Sequence, residues 1–144
     1  AICLKHGVQV KDVNYVQIHP TTLYTKKRGR RFLVSESVRG EGAVLLNGAG
    51  KRFTDELKPR DVVSAAIYAE MEKEGSDHVF LDLRTIPPEK VREHFPSIVR
   101  RCAQEGYDVF SAPVPVVPAQ HYFMGGVKSD VDGRTGLPRL YAVG

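Results

Sequence analysis

Four places in the sequence hold polar side chains that could bind or transform a small acid. His19 and Arg60 each lie beside a proline, residues 35–42 mix charges with glycines, and His121 lies between a proline-rich run and two glycines. Imidazole, guanidinium and hydroxyl groups suit a small dicarboxylate, whose two anionic ends need donors on both sides. The residue types therefore favour a dicarboxylate site, if the fold brings them together.

Each of these residues also has a structural explanation. A histidine before a proline often makes only a structural hydrogen bond, and His121 has the same explanation. Arg39 and Glu41 could form a buried ion pair. Arg60 would serve equally as a surface residue, but a cation opposes the dipole at a helix start, which favours a functional reason for it. Both interpretations stay open at this level.

Other classes of site lack their motifs. No GxGxxG, HExxH or GxSxG pattern occurs, so the sequence does not indicate a self-contained phosphate, metallopeptidase or serine hydrolase site. Cys3 and Cys102 are too far apart in sequence for a zinc pattern, and no metal ligand is assigned. Residues 26–31 hold five positive charges, whereas the whole chain has a net charge of +4, so the basicity is local. This pattern predicts a solvated loop, with a polyanion contact as the alternative.

The elements that must position these residues are helices and strands without a regular alternation. A helix is predicted from Pro59 to Gly75, because Val63, Ile67 and Met71 repeat at four-residue spacing. A strand is predicted over 78–83, and shorter helices begin at the prolines that follow it, over 88–94 and 96–105. The mixture predicts an α+β fold.

The remaining segments predict shorter elements. Residues 1–6 have helical spacing with Gly7 as a C-cap, and residues 43–53 suggest a hairpin in which Asn47 and Gly48 take positive φ. Residues 112–127 carry three prolines, which predicts an extended segment outside the middle of a sheet. The length of 144 residues, with 42% apolar and 26% charged residues, predicts a globular cytoplasmic protein without a membrane partner.

In this order along the chain, several segments resemble the succinate dehydrogenase and fumarate reductase flavoprotein family. They are VQIHPTTLY, FLVSESVRGEGAVLLNGAGKRF, PRDVV, VFLDL, PVPVVPAQHYFMGGVKSD and GRTGLPRLYAVG, from about residue 13 to residue 144. HPTTLY and GRTGLPRLYAVG are most similar to the branch of the family that oxidises L-aspartate. The alternative is a flavoprotein subunit of fumarate reductase or succinate dehydrogenase, and a non-enzymatic module with a basic loop is more remote.

The resemblance implies a capping domain with short flanking pieces of an FAD-binding α/β domain. Residues 1–12 would end the first part of the FAD-binding domain, residues 13–122 would form the capping domain, and residues 123–144 would return to the FAD-binding domain. The family's dinucleotide fingerprint is absent. The segment from residue 53 to residue 59 is also several residues shorter than the corresponding segment of the family. The chain is therefore expected to be a fragment that is inactive alone.

The resemblance also implies a reaction and its participants. FAD would oxidise L-aspartate to iminoaspartate, with oxygen or fumarate as electron acceptor, in NAD biosynthesis through quinolinate. Quinolinate synthase would be a pathway partner, and no nucleic acid or membrane would be involved.

The family's site residues map onto five positions of this chain. Arg60 would be catalytic and would exchange a proton with the substrate. His19, Ser35 and His121 would bind substrate carboxylates, and Glu36 would order the site. No cofactor-binding residue is assigned in this chain.

Overall fold

The computed structural model describes residues 2–27 and 29–143 and divides the chain into two compact units. The larger unit covers 18–119, and the smaller unit combines 1–17 with 120–144. Helices and strands occur together, so the prediction of a mixed fold is confirmed. The predicted boundaries at residues 12 and 122 stay a prediction.

The helices and strands follow one another without a repeating unit. In chain order they are α1 (Ile2–Lys5), β1 (Val10–Lys11), β2 (Val16–Leu23), α2 (Glu36–Gly40), β3 (Val44–Leu46), α3 (Arg60–Glu74), β4 (Val79–Asp82), α4 (Pro88–His94), α5 (Pro96–Gln104), β5 (Val114–Phe123) and β6 (Gly126–Val127).

A four-stranded sheet with the strand order β2-β5-β4-β3 supports the larger unit. β4 pairs antiparallel with both neighbours, so that Leu81 lies opposite Leu45 on one side and Val114 on the other. All three of these side chains are fully buried. Burial of branched apolar side chains on one face is the main stabilising contribution of such a sheet.

α3 packs its apolar stripe into the core of the larger unit, as the sequence predicts. Val63 and Ile67 have no exposed surface, and Met71 packs against them from the next turn. The helix ends at Gly75, whose φ of 62° is the left-handed conformation that a C-cap glycine adopts without strain.

The other predicted helices are confirmed within a residue or two at their ends. α4 begins at Pro88, α5 begins at Pro96, and both prolines occupy the first turn, where a missing N–H costs nothing. Within residues 2–27 and 29–143, no helix has the length and apolar character that crossing a membrane requires.

The predicted hairpin at residues 43–53 forms only in part. β3 meets the returning chain at a single bridge, between Leu46 and Arg52. The positive φ falls on Gly50, at 72°, and not on the two residues predicted for it. Asn47 instead accepts hydrogen bonds from the N–H groups of Ala49 and Lys51 through its side-chain oxygen, which turns the chain by another route.

The prediction that the proline-rich segment avoids the middle of the sheet is wrong. β5 lies between β2 and β4, with Pro115 directly opposite Phe80. The carbonyl of Pro115 accepts a hydrogen bond from the N–H of Tyr24 at 2.9 Å, just past the end of β2. Proline keeps its acceptor, so it is tolerated where the sheet uses a carbonyl and not an N–H.

In the smaller unit, β1 and β6 form a short antiparallel pair with Val10 opposite Val127. The chain approaches itself closely beside this pair. A Cβ added to Gly125 would lie 2.1 Å from the carbonyl oxygen of Asp12, whereas a Cβ added to Gly126 would meet nothing within 4 Å. Glycine is therefore required at the first position and not at the second.

We predict that Gly125→Ala lowers the free energy of unfolding by about 1–3 kcal/mol, because main-chain atoms must move apart. Gly126→Ala is the matched control and should stay within about 1 kcal/mol of the unmodified chain. Urea unfolding followed by circular dichroism measures both. Equal stability of the two variants would contradict the close approach.

Candidate active site

Glu36 is the centre of a charged cluster in the larger unit. Its Oε2 accepts hydrogen bonds from Arg60 Nε at 2.8 Å and Nη2 at 2.6 Å. Glu36 is the first residue of α2 and Arg60 is the first residue of α3, so the two helix starts face each other. The two-point contact fixes the plane of the guanidinium against the carboxylate.

The surroundings of Glu36 keep its carboxylate ionised. The hydrogen bond from Arg60 lowers the pKa of Glu36 from its ordinary 4.5, and the positive charges of Arg60 and Arg39 lower that pKa further, as does His19 when its ring is protonated. Partial burial raises the pKa of Glu36, but the net change is a lower pKa. At neutral pH the cluster therefore contains one negative carboxylate between two guanidinium groups.

Arg39 is the buried member of the cluster, with 2% of its surface exposed. Its Nη1 donates to the main-chain carbonyl of Glu56, and its Nη2 lies 3.5 Å from Glu36 Oε1. Burial lowers the pKa of the Arg39 guanidinium, and the charge of Arg60 lowers it too. A buried cation with incomplete hydrogen bonding is costly, so these anionic and carbonyl partners are necessary.

The predicted ion pair between Arg39 and Glu41 is wrong. Glu41 lies at the C-cap of α2, where its side chain points to the surface and its Oε1 contacts His94 Nδ1 at 3.1 Å. Arg39 lies on the buried side of the same short helix. The two side chains therefore leave the helix in different directions.

Glu56 is a structural carboxylate that the sequence analysis missed. Only 2% of its surface is exposed, and its Oε1 accepts the N–H of Leu45 at 2.7 Å. Arg52 donates to both of its oxygens from four residues upstream. The i, i+4 spacing of Arg52 and Glu56 was the available signal, although the segment is not helical. The carboxylate joins the loop before α3 to β3.

His19 is buried beside this cluster, with 1% of its surface exposed. Its Nδ1 accepts a hydrogen bond from the N–H of Thr21 at 3.2 Å. An accepting Nδ1 carries no proton, so the neutral ring holds its proton on Nε2. His19 is therefore oriented by its own strand to offer Nε2–H as a donor.

Ser35 caps α2. Its Oγ accepts from the N–H of Ser37 at 3.3 Å and lies 3.2 Å from the Ser37 hydroxyl. This is the usual N-cap role of a serine, and it places the hydroxyl next to Glu36. Its predicted role toward a substrate carboxylate stays a prediction.

His121 belongs to the smaller unit, whereas the other four predicted site residues belong to the larger unit. Its Nδ1 lies 3.1 Å from the side-chain oxygen of Gln17. Since an amide oxygen only accepts, Nδ1 donates and the neutral ring keeps Nε2 as an acceptor. The larger unit thus brings together His19, Glu36 and Arg60, with Ser35 beside them.

A flavin dinucleotide needs a glycine-rich turn between a strand and a helix for its pyrophosphate. Among residues 2–27 and 29–143, no strand is followed by a glycine-rich turn that leads directly into a helix. That no residue of this chain binds FAD stays a prediction, as does the role of the Glu36 cluster toward a substrate.

Comparison with known proteins identifies the family of the chain. Residues 1–144 match the family model described as FAD binding domain, and the chain belongs to this family of the succinate dehydrogenase and fumarate reductase flavoproteins. The prediction of FAD as the cofactor is thereby confirmed.

Curated relatives show which members of this family the chain is similar to. It is 50% identical over 144 residues to an L-aspartate oxidase of Clostridium perfringens, with 99% of this chain and 33% of that protein aligned. It is 47% identical to an L-aspartate oxidase of Neisseria meningitidis, with 100% of this chain and 30% of that protein aligned. The chain spans about a third of the length of these relatives.

Solved structures show the same fold in the respiratory branch. A quinol-fumarate reductase with menaquinol molecules superimposes with a TM-score of 0.84 at 35% identity, over 99% of this chain and 28% of that chain. A quinol fumarate reductase of E. coli gives a TM-score of 0.82 at 34% identity, over 99% and 28%.

We predict that Glu36→Gln destabilises the chain in a pH-dependent way. The pKa of Glu36 is lower in the folded state, so its stabilisation is present above about pH 4.5 and is lost as the pH falls through the folded value. The difference in unfolding free energy should be at most about 1 kcal/mol at pH 7, because the pair is half-exposed, and should be smaller at pH 3 than at pH 7.

Urea unfolding at pH 7, 5 and 3 measures this difference. Glu72→Gln, an exposed position on α3, is the control and should change stability little throughout. A difference that grows toward pH 3 would contradict the sign of the Glu36 interaction.

Proposed function

We propose that the chain forms part of an FAD-dependent enzyme that oxidises L-aspartate to iminoaspartate, with oxygen or fumarate as electron acceptor, in NAD biosynthesis through quinolinate. The observation that carries the proposal is the Glu36 cluster, with Arg60 and Arg39 on its two oxygens and His19 nearby. Relatives named L-aspartate oxidase, 43–50% identical over the chain, support the choice of substrate.

In this proposal the larger unit is the capping domain and the smaller unit belongs to the FAD-binding domain. The division of the chain near residues 17 and 120 supports this assignment. So does the structural likeness to fumarate reductases over 99% of the chain. A cytoplasmic location and quinolinate synthase as a pathway partner stay predictions from the sequence.

Substrate binding in this proposal uses groups that are already oriented. The Nε2–H of His19 donates to one carboxylate of L-aspartate, because Nδ1 is occupied by the Thr21 N–H. Ser35 and His121 are proposed to bind the carboxylates as well. His121 donates through Nδ1 to Gln17, so its Nε2 binds an anion only in the protonated ring. Donors on a rigid strand and a helix cap reduce the entropy lost on binding.

Arg60 and Glu36 are the proposed proton pathway. FAD would supply the hydride acceptor when bound. Oxidation of L-aspartate to the imine also requires a proton to leave the substrate's amino nitrogen. Arg60 Nη2 lies 2.6 Å from Glu36 Oε2, so Arg60 would pass one of its protons to the ionised carboxylate of Glu36 as it takes the proton from the substrate. An arginine alone releases a proton poorly, which is why the carboxylate partner matters.

Fumarate reduction or succinate oxidation is the second candidate. The TM-scores of 0.84 and 0.82 to quinol fumarate reductases favour it, since the same dicarboxylate geometry would serve both reactions. The two candidates differ in whether the substrate carries an amino group, and not in how its carboxylates are bound.

We predict that Arg60→Lys, made in the complete enzyme that contains this chain, lowers kcat for L-aspartate by at least about 100-fold. Lysine keeps the charge but loses the two-point contact with Glu36. Arg84→Lys is the matched control, because Arg84 also binds a carboxylate through Nε and Nη2, that of Asp82, outside the cluster. The control should retain kcat within about twofold.

Initial rates with L-aspartate and with succinate, measured on the same preparation, separate the two candidates. Turnover of L-aspartate with little turnover of succinate is the expected result. Preference for succinate would favour the respiratory candidate, and equal loss of kcat in both arginine variants would remove the proton role from Arg60.

A further inference from the structure

The basic segment 26–31 belongs to a loop that the larger unit holds at several points. The loop leaves at the end of β2 and returns beside it, where the N–H of Leu23 donates to the carbonyl of Phe32 at 2.8 Å. Lys27 Nζ lies 2.7 Å from Glu105 Oε2, just past the end of α5. The charge run is therefore docked against the domain, at least through its described residues.

The docked loop and α5 line an open hollow of about 350 Å³. The hollow is lined by three arginines, Arg30, Arg31 and Arg101, and by Phe32 and Leu33. The volume is at the small end of the range for small-molecule sites. None of these residues belongs to the Glu36 cluster, so the hollow is a separate feature of the larger unit.

The charges in the hollow are unbalanced. Among the described residues, neither Arg30 nor Arg31 has a carboxylate within ion-pair distance. Arg31 Nη1 is closed off from solvent and has no hydrogen-bond partner in the described part of the chain. Arg101 shares Glu105 with Lys27, at 3.4 Å and 2.7 Å. A buried guanidinium donor without a partner is costly, and an added anion would satisfy it.

We propose that this hollow binds a small phosphate-bearing molecule. Arginine forks match phosphate oxygens two at a time, and three arginines line this hollow with one shared carboxylate nearby. Phe32 and Leu33 provide apolar walls for the organic part of such a ligand. A concave site of this size suits a compact anion better than a nucleic-acid strand, which needs an extended groove.

Titration of the complete 144-residue chain with pyrophosphate, followed by calorimetry at low salt, tests the proposal. Saturable binding at one site is expected, and amide NMR shifts should concentrate at residues 30–33 and 101. Arg31→Gln and Arg101→Gln should each weaken binding by about tenfold. Arg31→Lys should lose most of this affinity as well, because it keeps the charge without the fork.

Two charge-matched controls distinguish a built site from a diffuse positive surface. Lys26→Gln removes a charge from the same loop outside the hollow, and Lys90→Gln removes one from the exposed face of α4. Both should change the affinity less than about twofold. NMR spectra of all variants verify that each is folded.

Three results would overturn the proposal. The first is no saturable binding of pyrophosphate to the folded chain. The second is an equal loss of affinity in Lys26→Gln and Arg31→Gln. The third is a single-stranded oligonucleotide that binds and that pyrophosphate does not displace, which would assign the loop to a polyanion.

Discussion

The burial of Arg39 is the constraint on which the candidate site depends. A guanidinium with 2% of its surface exposed must have anionic or carbonyl partners, and Glu36 and the Glu56 carbonyl provide them. These partners come from the helix that carries Arg39 and from the loop before α3. The same contacts that make the buried charge tolerable also fix the start of α3 beside the start of α2.

This constraint explains why a charged stretch lies between two apolar segments. Val38 and Arg39 are the buried residues of α2, so the helix packs one apolar and one cationic side chain inward. Glu36 then stands at the edge of the core, half-exposed, between Arg39 and Arg60. The ionised carboxylate of Glu36 is therefore partly open to solvent and still held by the core.

Local sequence patterns predicted the helices best, because a helix makes its backbone hydrogen bonds within its own residues. α3, α4 and α5 have caps, prolines and apolar spacing within their own residues, and all three were predicted correctly. β5 was misjudged because the cost of Pro115 depends on whether its neighbour in the sheet needs an N–H or a carbonyl. That requirement belongs to the pairing and is invisible in one strand.

The sequence by itself determined which residue types are available for the site: His19, Ser35, Glu36, Arg60 and His121 were singled out from residue types, spacing and family resemblance, and their roles stay a prediction. It could not determine the pairing of charges, since Arg39 binds Glu36 and Glu56 while Glu41 turns outward to His94. Only the tertiary structure decided these partners, because the direction in which a side chain leaves a short helix depends on which face the core covers. Charges are local properties of the chain, whereas burial and distance arise from packing.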